Sequence, residues 1–105
     1  MIGPGTYLER ILCALGVPKK TGCNCDLVKR AMNHWGPHRC REPANRAAII
    51  THLEAGAAQY GWWDTMKAAA IAAAHGWTFA LTWDGLVEEA CRRAELHAVQ
   101  TLNKP

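Results

Sequence analysis

The amino-acid sequence predicts an all-α fold, a compact single-domain bundle of about five short helices. Three observations carry this expectation. Glycine and proline divide the chain into segments of helical length, the apolar residues within them recur at three- and four-residue spacing, and no alternating apolar run of strand length lies between them. At 105 residues, half of them apolar, the chain can bury a core of its own without being stapled.

The first helix is expected over residues 6–15, where Tyr7, Leu8, Ile11, Leu12 and Leu15 share one face and Gly16 followed by Pro18 ends it. The second is expected over about 24–35, with Leu27, Val28, Ala31, Met32 and Trp35 as its apolar stripe and Gly36-Pro37 as a stop. Pro43 suits a first helical position, because its missing N–H would find no intrahelical partner there. Ile49, Ile50, Leu53, Ala57 and Tyr60 then form the buried face of the third helix. Asp64 or Thr65 caps an alanine-rich fourth helix through His75, which Gly76 ends. In the last, about 84–102, Leu86, Val87, Ala90, Cys91, Ala94, Ala98 and Leu102 fall within one arc, and Glu88, Glu89, Arg92, Arg93 and Glu95 outside it.

The net charge of +3 is unevenly spread. Residues 1–50 hold eight lysines and arginines against three carboxylates, whereas residues 51–105 hold four against six. The domain thus divides into a cysteine-rich basic part, 1–42, and a helical core, 43–105. The opening residues lack a basic stretch followed by an apolar one, so a reducing cytoplasm is the default location. The longest apolar run, near 68–81, is broken by His75 and Gly76 and falls short of the roughly 20 residues of a membrane span. With no serine in the chain and no His-Glu-x-x-His pair, hydrolytic catalysis has little support, and a non-enzymatic role is favoured.

The stretch from Gly22 to Glu42 concentrates cysteine and histidine. Cys23 and Cys25 fall at the start of the second helix, where free N–H groups and the positive dipole end favour thiolate. Cys40 follows the Gly-Pro stop, His34 and His38 lie nearby, and Cys13 points away from the apolar face of the first helix. A tetrahedral structural zinc held by Cys13, Cys23, Cys25 and Cys40, with His38 as the alternative fourth ligand, satisfies the ion's preference for sulfur and nitrogen donors. Closure demands that residues 37–40 run extended back along a helix roughly 12–16 Å long. The competing readings are an iron–sulfur cluster on the same thiols, a thiol redox role for Cys23 and Cys25, a disulfide from Cys40 to either of them, and reduced thiols with no metal. Cys91, in the middle of an apolar arc, is expected to be a buried, inert thiol.

Lys19, Lys20, Lys29, Arg30, Arg39 and Arg41 could converge into a basic face for nucleic acid or an acidic protein surface, although a solvated face is the commoner meaning of such pairs. Trp35, Trp62, Trp63, Trp77 and Trp83 fall at or near helix ends, where most would seal corners of the core. The adjacent Trp62 and Trp63 are the pair that could mark a partner surface, a larger assembly or a second copy of the chain.

The run "GPGT", then "GCNC", "AMNHWGPHRCRE", "YGWW" and "GLVEEACRRAE", resembles a module of small bacterial and bacteriophage-type open reading frames. Its motif, Cys-x-Cys, then Met-Asn-x-Trp-Gly, then Cys, is matched by Cys23, Cys25, Met32, Asn33, Trp35, Gly36 and Cys40. The resemblance implies a phage-type accessory or virion-associated part and no particular activity. Cys91 departs from it, standing where an aliphatic residue is expected.

Overall fold

The computed structural model describes residues 2–16, 25–60 and 65–102. Its described residues form helices and their connections, without strands: α1 (Pro4–Ala14), α2 (Cys25–Cys40), α3 (Pro43–Tyr60), α4 (Thr65–His75) and α5 (Trp83–Leu102). The all-α bundle is therefore what the chain adopts. Among the described residues no helix is long and apolar enough to cross a membrane.

Helix α5 is the centre of the bundle, packing against α1, α2 and α3. Leu86, Val87, Ala90 and Cys91 are wholly buried along its inner face, where they meet Leu8 and Ile11 of α1, Met32 and Cys40 of α2, and Ile49 and Leu53 of α3 in one core. Its start is fixed locally, because the Thr82 hydroxyl accepts the Gly85 N–H at 3.0 Å, the standard arrangement of a threonine N-cap. Asp84 follows in the first turn, where the helix dipole favours a carboxylate.

Glu89 corrects the helical-wheel reading that placed it on the outer side, since it is only 5% exposed. Its carboxylate takes Arg92 at 2.6 and 2.7 Å and Arg93 at 3.2 Å, so two guanidiniums cover it from the following turn. Arg93 in turn lies over the rings of Trp77 and Phe79, 5.2 and 5.9 Å from their centroids, and His75 stacks on Trp77 at 4.8 Å. This chain of contacts lays the segment after α4 onto α5 through cation–π attraction as well as buried area.

Helix α1 has Pro4 in its first turn and no side chain of its own as a cap. The partner comes from α2, where Asn33 Oδ1 accepts the Thr6 N–H at 3.1 Å while Asn33 Nδ2 donates to Thr6 Oγ1 at 3.0 Å. The two helices run antiparallel, with Glu9 reaching Lys29 at 3.0 Å one turn further along. They can approach this closely because residue 5 is glycine: a Cβ there would run into the Lys29 carbonyl.

The Gly36-Pro37 pair bends α2 instead of ending it. Gly36 has φ +76° and ψ 174°, and Pro37 restarts the helix, with its carbonyl accepting the Arg41 N–H at 3.3 Å. Proline is accepted there for the reason that places Pro43 at the start of α3. Leu27, expected within the apolar stripe of α2, is 61% exposed, because that stripe centres on Val28, Met32 and Trp35.

Candidate functional site

The fold assigns different tasks to the basic residues that the sequence groups together. Lys29 is spent on Glu9 in the α1–α2 contact. Arg41, just after α2, reaches Glu88 at 2.9 Å and Glu95 at 2.6 Å, two α5 carboxylates one turn before and one turn after Cys91. Arg46, in the first turns of α3, holds Asp84 at 2.7 Å, Glu88 at 3.1 Å and the Asp84 carbonyl at 3.3 Å. These bonds keep the Arg41 and Arg46 guanidiniums protonated at any accessible pH. The hydrogen bond from Arg41 holds the Glu88 carboxyl below its usual range. The network clamps the α2–α3 junction to α5, with both arginines engaged by carboxylates.

Arg30 and Arg39 remain. Both are exposed, and neither makes an ion pair among the described residues. His34 follows Arg30 by one turn on the outer side of α2, and His38, also exposed, lies beside Arg39 beyond the bend. At 100° per residue, Arg30 and His34 fall within about 40° of each other and opposite Met32. Arg30 and His34 thus share one solvent-facing strip of α2, and His38 and Arg39 are exposed on the turn beyond the bend. Lys19 and Lys20, assigned to the same face, lie outside the described residues.

The described cysteines sit in different settings. Cys13 is exposed on α1. Cys25 opens α2, and Cys23 lies outside the described residues. Cys40 is buried at the other end of α2, where its thiol donates to the Met32 carbonyl at 3.4 Å. Its sulfur therefore sits about two helical turns, roughly 10 Å along the axis, beyond the backbone of Cys25. The extended return that a shared ion demands is replaced by the helical turn after Pro37. Among the described residues no group of three or more His, Cys, Asp or Glu side chains could hold a metal ion.

The motif Met-Asn-x-Trp-Gly has a structural meaning at four positions. Met32 fills the core, Asn33 caps α1 from outside it, Trp35 packs on the core edge, and Gly36 makes the bend. Trp77 and Trp83 likewise pack against the core, whereas Trp62 and Trp63 lie outside the described residues. Sequence reasoning missed the Arg41–Glu88–Arg46 clamp and the burial of Cys40. The signal for both was Pro37, which, read as a first helical residue as Pro43 was, carries α2 on to the core-facing Cys40. Comparisons with protein-family models, with curated proteins and with solved structures found no match to this chain.

Proposed function

We propose that this chain is a non-enzymatic helical binding module that presents the outer face of α2 to the phosphates of a nucleic acid. The supporting observation is the division of labour among its cations. Lys29, Arg41, Arg46, Arg92 and Arg93 are each paired with a carboxylate, the last two sharing Glu89, while Arg30 and Arg39 are exposed without one among the described residues, beside His34 and His38. A guanidinium with no internal partner gains more from an external phosphate than one that must first leave a carboxylate. The helix carries no ladder of side chains suited to base edges, so the contact is with the backbone and independent of sequence. In the accessory role that the sequence resemblance implies, such a module would coat or dock on nucleic acid without reading it.

The test is a salt titration of binding to a labelled DNA duplex of arbitrary sequence. The affinity expected is in the range of about 10⁻⁴–10⁻⁶ M near physiological salt, falling linearly on a log–log plot as salt rises. The double variant Arg30→Gln/Arg39→Gln should flatten that slope by about two counterions. It should leave thermal stability unchanged, since neither side chain contacts the core. Binding that ignores salt, or that survives the double substitution with the same slope, overturns the reading.

A further inference from the structure

Cys40 and Cys91 come from elements 51 positions apart in the chain, yet both are 0% exposed in the same core. Their juxtaposition is fixed from outside as well as inside. Arg41, the next residue after Cys40, grips Glu88 and Glu95 at 2.9 and 2.6 Å, and Cys91 lies between those two carboxylates along α5. The two thiols are close enough to couple in ionisation, and the Cys40 S–H rests on the Met32 carbonyl at 3.4 Å. Neither is engaged in a disulfide.

We propose that Cys40 and Cys91 are a paired dithiol that hydrogen peroxide closes to an intramolecular disulfide, cross-linking the end of α2 to the middle of α5. The inference is independent of the nucleic-acid reading. The two sulfurs are not equivalent. As Cys91 ionises, the single Cys40 S–H turns from the Met32 carbonyl to the Cys91 sulfur, and that bond, with the positive charges of Arg41 and Arg46, pulls the Cys91 thiol down against its burial. The hydrogen bond to Cys91, with burial, pushes Cys40 up, because a second anion in the same apolar space is strongly opposed. Cys91 is thus the attacking sulfur and Cys40 the resolving one.

In the first step the Cys91 thiolate attacks one peroxide oxygen and the O–O bond breaks. A sulfenic acid forms, and the departing hydroxide takes up the proton Cys91 had lost, giving water. In the second, the Cys40 sulfur attacks the sulfenic sulfur, the S–O bond breaks, and hydroxide leaves with the Cys40 proton as a second water. Two thiols are oxidised by two electrons in all, and one peroxide is reduced to two waters. Peroxide is small enough to reach a closed core through brief openings at the α2–α5 contact, which is held on its outer side by exposed ion pairs.

Trypsin separates the relevant cysteines, since Cys40 falls in the dipeptide 40–41, Cys91 in 68–92, Cys13 in 11–19, and Cys23 with Cys25 in 21–29. The full chain, freed of metal by chelator, is exposed to hydrogen peroxide at low protein concentration. It is then unfolded with an alkylating agent, digested, and mapped by mass without reduction. The expected product is peptide 68–92 carrying the 40–41 dipeptide, lost on treatment with dithiothreitol. A companion measurement is the melting temperature, which oxidation should raise in the native chain and in Cys13→Ser but not in Cys91→Ala. Recovery of the 40–41 dipeptide linked to 21–29 or 11–19 would overturn the proposal. So would full alkylation of both Cys40 and Cys91 after exposure sufficient to oxidise Cys13.

Discussion

Helices α4 and α5 are both rich in good helix formers, yet they hold their places by different means. Along α5 the residues Leu86, Val87, Ala90 and Cys91 are all 0% exposed, and the flanks are tied by Arg41, Arg46, Arg92 and Arg93. Among the described side chains of α4, Ala68 and Ala72 are buried, Ile71 is partly so, and Met66 stands 84% exposed. Its small side chains remove little apolar area from water. Intrinsic propensity therefore carries a larger share of the stability of α4, and packing a larger share of that of α5.

Three substitutions measure that contrast. The largest effect is expected from Leu86→Ala, which empties a fully buried position and should cost about 2–5 kcal/mol in the denaturant-unfolding free energy. A cost below 1 kcal/mol would mean that α5 is not the centre of the core. Glu89→Gln comes next, at about 1–2 kcal/mol near neutral pH, from weakened charge-assisted bonds to Arg92 and Arg93. The acid side follows from sign. Hydrogen bonds from Arg92 to Glu89 and from Arg41 to Glu88 lower both carboxyl pKa values in the folded chain. Their contribution is complete above the unfolded carboxylate value of about 4.3 and fades as pH falls through the lower folded values. Thermal melts across pH 2–6 should show this loss, and Glu89→Gln should show a shallower one. The smallest effect belongs to Ala70→Gly on the exposed side of α4, where propensity alone predicts roughly 1 kcal/mol. Its signature is faster amide exchange confined to α4, and faster exchange in α5 as well would erase the distinction between the two helices.

Four of the helices were legible because each carries a stripe of large apolar residues on one face, and α4 because its run of helix formers ends at Gly76. Boundaries suffered where one signal had two meanings. Gly36-Pro37 can terminate a helix or bend it, and the choice depends on whether the residues beyond, here Cys40 and Arg41, find partners on another element. Glu89 was misplaced for a related reason, since a wheel diagram registers the polarity of a carboxylate but not the two guanidiniums that seal it. The proposed site was least legible of all. Which cations are free depends on which carboxylates lie opposite them, and Glu88 and Glu95 are some fifty residues from Arg41.

The bend at Gly36 has a consequence in handedness. Its φ of +76° with ψ of 174° is the mirror image of ordinary extended backbone, and no atom outside the chain's immediate neighbours lies within 4 Å of where an L side chain would attach. The obstacle to any natural substitution is thus chirality rather than crowding, about 1–3 kcal/mol of backbone strain. A D-alanine built in by chemical synthesis would adopt the same dihedrals at ease, stiffening the corner that the natural alphabet can supply only with its one achiral residue.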